Sequence, residues 1–291
     1  MPQLRYLTLN DPSNPAQPRH LAYYEWGEST NPEVVVCLHG LSRNARDFNF
    51  LAQTLALHYR VLCVDIAGRG RSDWLVNKAD YNYLVYLQDV RALLDALKLG
   101  QITLIGTSMG GIIGMMLAAQ WKDSIKRLVL NDIGKTVSAI GLKRIISYVG
   151  TSGLFATKEE AMAYLRSIIA PFGISSEVQW QHMFETSFNA LADGRYALAY
   201  DPGISQPFKE ASNTKDAIAD IDLTVVWNAV ECPVLILRGE VSDILTQETA
   251  MAMCQRVAST KLVEIKNAGH APALLDESQI RIITDWLENK L

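Results

Sequence analysis

A serine set between two glycines can carry covalent chemistry if the chain holds it on a sharp turn. Ser108 lies in Gly106-Thr107-Ser108-Met109-Gly110-Gly111, directly after the apolar run Ile102-Thr103-Leu104-Ile105 and before the apolar stretch Ile112 to Ala119. This is G-x-S-x-G between a strand and a helix, the setting in which a serine is presented in a strained conformation at a strand's edge. Glycine is needed on either side because side chains there would collide across the turn. The helix that follows points amides and a positive dipole end at a developing oxyanion, and the Met109 amide is the first candidate donor. The same string with an inert serine on a glycine-rich turn is common, and the strand-helix context is what weighs against it.

A serine hydroxyl needs a base to take its proton, and histidine titrates in the right range. Five are present: His20, His39, His58, His182 and His270. Of these only His270 follows a glycine in a loop after a late strand, Lys261 to Ile265. His39, at the end of an early strand and ahead of Gly40, is the decoy.

The elements that must position these groups are legible in the hydrophobic pattern. Leu4 to Leu9 and His20 to Trp26 read as an opening antiparallel pair. Val34 to Leu38, Arg60 to Ile66, Gln101 to Ile105, Lys126 to Leu130 and Pro233 to Leu237 are short apolar runs without alternation, as expected of strands covered on both faces. Helical patterns separate them, including Tyr83 to Leu99 and Met109 to Trp121. Such alternation implies an α/β fold with a mostly parallel central sheet flanked by helices. Between Asp132 and Glu231 the strand rhythm gives way to helical patterns such as Lys158 to Ile169 and Glu177 to Leu191, and it resumes at Cys232. A core of residues 1–133 and 231–291 with a helical cap inserted at 134–230 accounts for this.

These segments together resemble the α/β-hydrolase family. The resemblance rests on the serine motif, His39-Gly40-Leu41, Asp65-Ile66-Ala67-Gly68-Arg69-Gly70-Arg71-Ser72, Gly239-Glu240-Val241-Ser242-Asp243 and Gly269-His270. It implies Ser108 as nucleophile, His270 as base and Asp243 as the carboxylate that orients the imidazole, in the chain order Ser, Asp, His. Some family members place the acid where Asp132 stands, after the strand that follows the nucleophile helix; a strand-end capping carboxylate is the competing reading there. The resemblance also gives His39 a supporting role under the oxyanion loop and the Asp65 to Ser72 turn a structural one. With Gly40 letting the loop turn inward, the Leu41 amide is the second expected oxyanion donor. Arg43, two residues on, could meet a substrate carboxylate, but a surface salt bridge is the expectation adopted.

The implied reaction is hydrolysis of carboxylic esters through an acyl-enzyme on Ser108. Haloalkane- and epoxide-cleaving relatives carry aspartate at the nucleophile position, so Ser108 argues against both. Lactonases, carbon-carbon bond hydrolases and perhydrolases share the triad, and a small-molecule sensor with slow turnover is the reading from another class. No cofactor and no metal is expected. The formal net charge of -4 leaves no basic surplus for nucleic acid or an anionic membrane. No apolar stretch reaches bilayer-spanning length, the start lacks a leader pattern, and Cys37, Cys63, Cys232 and Cys254 read as buried free thiols, so a cytoplasmic setting is expected. The cap's apolar residues, among them Ile145, Phe155, Met162 and Phe172, are expected to line an acyl pocket.

Overall fold

In the computed structural model, which describes residues 1–150, 153–212, 218–256 and 259–291, eight strands form one sheet in the order β1-β2-β4-β3-β5-β6-β12-β13. The chain lays down β1 (Gln3–Asn10), β2 (Pro18–Trp26), β3 (Val34–Leu38), α1 (Asn49–Leu55), β4 (Arg60–Val64), α2 (Tyr83–Ala96), β5 (Ile102–Thr107), α3 (Met109–Gln120) and β6 (Ile125–Asn131). A long inserted segment follows, after which come β12 (Val234–Gly239), α9 (Gln247–Arg256), β13 (Thr260–Ile265) and α10 (Glu277–Leu287). The first two strands pair antiparallel, β2 meets β4 antiparallel, and every other pairing in the sheet is parallel.

The unbroken apolar runs of the central strands have a direct physical cause. Val34, Val36 and Leu38 pack on one face of the sheet with α2, α3 and α9, while Val35 and Cys37 pack on the other with α1 and α10. Leu62 and Val64 against Val61 and Cys63, and Val234 and Ile236 against Leu235 and Leu237, divide in the same way. A strand buried on both faces has no polar side to write into its sequence.

The inserted segment is more mixed than its helical patterns predict. It runs through β7 (Thr136–Val137), α4 (Ala139–Tyr148), β8 (Leu154–Phe155), α5 (Lys158–Ile169), α6 (Glu177–Ser187), β9 (Phe188–Ala190), β10 (Tyr196–Leu198), α7 (Gln206–Ser212), β11 (Ile221–Asp222) and α8 (Thr224–Ala229). Strands of two or three residues are too short to show a period of two, which is why the sequence does not announce them. The pairing of β11 with β7 brings the two ends of the segment together antiparallel. Capping follows local chemistry: Ser176 and Gln179 form a reciprocal capping box at the start of α6, and Ser138 and Thr157 cap α4 and α5. Of the expected buried thiols, Cys37 and Cys63 are fully buried, while Cys232 and Cys254 are only partly so.

Candidate active site

The turn between β5 and α3 holds Ser108 at φ 52° and ψ -115°, a conformation that costs a non-glycine residue energy and persists only where its surroundings enforce it. The enforcement is visible. A Cβ on Gly106 would stand 2.4 Å from the Gly110 carbonyl oxygen, and one on Gly110 would stand 2.1 Å from that of Leu38, so both positions must be glycine. The Ser108 amide donates to the Asn131 carbonyl at 3.0 Å, tying the turn to the end of β6.

His270 sits in the loop between β13 and α10, buried, with Nε2 2.8 Å from Ser108 Oγ. Its other ring nitrogen, Nδ1, lies 2.7 Å from Asp132 Oδ2. Asp132 is fully buried at the end of β6 and carries φ 55°. Its carboxylate also accepts the Gly239 amide at 2.7 Å on Oδ1 and the Ser242 hydroxyl at 2.5 Å on Oδ2. With Nδ1–H donated to the carboxylate, Nε2 is left as the acceptor that a serine proton needs.

Asp243, the acid expected from the resemblance, does not meet the imidazole, and this corrects the expectation. Its carboxylate accepts Nε and Nη2 of Arg144 from α4, at 2.5 and 2.8 Å. Burial pushes the Asp243 carboxyl up, but the Arg144 hydrogen bonds and charge, with His270 behind them, outweigh it and hold it below the usual carboxylate range. The loop after β12 does serve the site, through Ser242, one residue earlier. It turns back on itself where the Ser242 amide meets the Gly239 carbonyl, which aims the serine hydroxyl inward and leaves Asp243 facing the inserted segment.

Of the two expected oxyanion donors, Met109 directly follows Ser108 and Leu41 borders the same cavity as Ser108. Met109 opens α3, where first-turn amides have no intrahelical acceptor. Leu41 lies in the loop after β3, and neither its amide nor that of Met109 has an acceptor among the described residues. Arg69 connects the two: fully buried, it donates from Nε to the Leu41 carbonyl at 2.9 Å, while Nη2 lies 3.8 Å from Met109 Sδ. The same guanidinium donates to the Ala67 carbonyl and the Tyr86 hydroxyl and lies over the Tyr86 ring. Sequence reasoning gave this turn a structural role without seeing that Arg69 fixes the orientation of the Leu41 peptide.

His39 stands apart from proton transfer. Its Nδ1–H donates to the Gly40 carbonyl at 2.7 Å and its Nε2 accepts the Ile66 amide at 2.9 Å, bracing the loops after β3 and β4. Burial pushes this imidazole down to about 3. Asn131 was also missed. Its side-chain amide donates to Thr107 Oγ1 at 3.1 Å and to the Pro272 carbonyl at 2.8 Å, joining the Ser108 turn to the His270 loop. Only its position one residue before Asp132 could have signalled it.

A cavity of about 40 Å³ opens over Ser108 and His270. The inserted segment contributes Ile145, Tyr148, Phe172 and Met183 to its wall. Phe155 and Met162, expected there, do not line it. Phe155 is buried against Tyr164 and Phe188 inside the insertion, and Met162 packs on the same core. Arg43, expected in a surface salt bridge, lies 6% exposed in the cavity wall, paired with Asp47.

Comparison with known proteins agrees with this fold. The α/β hydrolase fold profile matches residues 33–149. A 3-hydroxybutyrate-oligomer hydrolase from Cupriavidus necator is 39% identical over 272 residues, covering 92% of this chain and 93% of its own length. An α/β hydrolase from Novosphingobium aromaticivorans superposes with a TM-score of 0.86 at 36% identity, over 99% of this chain and 98% of its own. A Rickettsia typhi chain solved by X-ray crystallography does so with a TM-score of 0.90 at 34% identity, over 99% and 100%. With a strained serine between β5 and α3, a histidine at its hydroxyl and relatives matching along nearly the full length, the chain belongs to the α/β-hydrolase fold family and is a hydrolase.

Proposed function

We propose that the chain cleaves carboxylic esters through an acyl-enzyme on Ser108, with His270 as base and Asp132 as the orienting carboxylate. The observation that carries this reading is the relay of two short hydrogen bonds, Asp132 to His270 to Ser108. Ser108 Oγ attacks the ester carbonyl as its proton passes to Nε2, and the Asp132 carboxylate stabilises the imidazolium that forms. The Leu41 and Met109 amides take the developing oxyanion. His270 then returns the proton to the departing alcohol, and a water deprotonated by the same nitrogen releases the acid.

Among ester substrates, short oligomers of 3-hydroxybutyrate have the strongest support, because the Cupriavidus necator relative matches over nearly its whole length. In this reading the inserted segment acts as a cap, since its side chains close the cavity above the serine. Wild type should be labelled once by a fluorophosphonate and should turn over 4-nitrophenyl butyrate repeatedly and release 3-hydroxybutyrate from its linear oligomers. Ser108→Ala should fold normally, resist labelling and lose at least about a thousandfold in rate. A Ser108→Ala rate within about a hundredth of wild type, or labelling without turnover, would refute the ester hydrolase reading.

A further inference from the structure

Arg43 and Asp47 form an ion pair in the wall of the cavity that holds Ser108. Arg43 Nε and Nη2 donate to the two Asp47 carboxylate oxygens at 2.8 and 2.7 Å, and Nη1 donates to Ser187 Oγ at 2.5 Å. Their side chains are 7% and 16% exposed. Burying such a pair costs desolvation that an apolar pair of similar volume would avoid, so stability alone does not account for it. Nor does the tie to the inserted segment. The neighbouring Asn44, uncharged, already binds that segment through the Thr186 carbonyl.

The pair is close to the chemistry. Arg43 Cγ and Ser108 Cβ each lie 3.8 Å from the point where a Cβ on Gly40 would stand. Both Arg43 and Asp47 border the same cavity as Ser108 and His270. Among the described residues Asp47 takes two of the five guanidinium N–H groups, Ser187 one, and Thr186 and Met183 share another, leaving one Nη1 hydrogen. The Asp47 oxygens keep lone pairs beyond the two they use. A cavity wall with no net charge that offers a donor and an acceptor side by side suits a hydroxyl. An alkyl chain leaves the remaining Nη1 hydrogen and the spare Asp47 lone pairs unmet, and a carboxylate meets the Asp47 charge.

We infer that the Arg43–Asp47 pair determines acyl specificity by binding the 3-hydroxyl of a 3-hydroxyacyl group as it is transferred to Ser108, an inference that rests on the ester hydrolase reading. That hydroxyl is three bonds from the carbonyl carbon, and the pair borders the same cavity as Ser108. When an internal bond of a longer oligomer is cleaved, the same oxygen of the acyl group is an ester oxygen, which accepts only and is met by Arg43 alone.

The test is a ratio of kcat/KM values taken on one preparation for 4-nitrophenyl 3-hydroxybutyrate and 4-nitrophenyl butyrate, with 4-nitrophenyl hemisuccinate as the carboxylate contrast. Wild type should prefer the hydroxybutyrate ester by about tenfold or more, since hydrogen bonds to charged groups are the stronger kind. Asp47→Asn should reduce that ratio several-fold, and the paired replacement Arg43→Met with Asp47→Leu should bring it to about one. A role confined to holding the inserted segment lowers all three esters alike. An unchanged ratio in the variants therefore overturns the inference. So does a wild-type ratio near one, or a preference for hemisuccinate, neither of which depends on a variant folding. Failure of wild type to turn over any of the three would instead refute the ester hydrolase reading beneath it.

Discussion

Asp132, a residue with positive φ, is held by three hydrogen bonds from two other parts of the chain, to His270 and to the Gly239 amide and Ser242 hydroxyl. A carboxylate fixed on that many sides cannot rotate away from the imidazole, and it is fully buried, so solvent does not compete. Asparagine at this position offers an N–H to Nδ1, favours the wrong imidazole tautomer and leaves Nε2 protonated. Asp132→Asn should therefore lower kcat/KM for an activated ester by up to about 10⁴-fold with little loss of fold. Asp243→Asn should change it by less than about tenfold, because that carboxylate is engaged by Arg144. Reversal of these two effects in steady-state assays would return the acid to Asp243. The meeting of Ser108 and His270 was legible in the sequence because each sits in a short local pattern. The acid was not, because Asp132 and Asp243 follow adjacent parallel strands and both sit in polar turns. Asp243 is instead bound by Arg144, a contact that spans 99 residues.

At the scale of elements, the ends of β3 and β4 are joined by two buried groups with opposite responses to acid. Burial pushes the His39 imidazole down to about 3 from an ordinary 6.5, while it pushes the neighbouring Asp65 carboxyl up to about 6, against hydrogen bonds from the Ala45 and Arg71 amides that pull the other way. Protonating His39 would remove the Nε2 acceptor of the Ile66 amide. Below pH 6.5 the unfolded chain gains a proton at His39 that the folded chain refuses until about pH 3, so this group's contribution to stability falls as pH is lowered. The sign is opposite for Asp65. Between about pH 6 and 3.8 the folded chain holds a proton that the unfolded chain does not, so stability rises as pH is lowered. Urea titrations should show the stability gap between wild type and His39→Asn shrinking as pH falls from 6.5 to 4, by up to about 1.4 kcal/mol per unit. The gap to Asp65→Asn should shift in the opposite sense over pH 6 to 4. Parallel curves for either variant would remove that group from the account. The strands and helices that place these braces were legible from their apolar runs. The short strands of the inserted segment were not, since two or three residues carry no readable period, and the pairings of β8 with β10 and of β7 with β11 join residues distant in sequence.

Across the whole molecule, the inserted segment grips both loops that carry the chemistry. Arg43 and Asn44, in the loop after β3, bind Ser187 and Thr186, and the histidine loop is held where the Gly269 and Ala273 amides donate to the Pro171 and Phe172 carbonyls at 2.6 and 3.0 Å. Held this way over the serine, Ile145 and Phe172 bound a small cavity of about 40 Å³. Each methylene of an acyl chain that leaves water there contributes about 0.8 kcal/mol, so binding should tighten only until that space is filled. For 4-nitrophenyl esters kcat/KM should climb about tenfold from acetate to butyrate and then decline by hexanoate and octanoate. Ile145→Ala or Phe172→Ala enlarges the cavity at its wall and should move the optimum toward longer chains. Phe155→Ala, although it also removes a large apolar side chain from the insertion, lies in the packed cluster with Tyr164 and Phe188 and should lower the melting temperature while leaving the optimum where it was. A profile that stays flat to dodecanoate would show an open site. An optimum that moves with Phe155 but not with Ile145 or Phe172 would place the acyl chain elsewhere in the insertion.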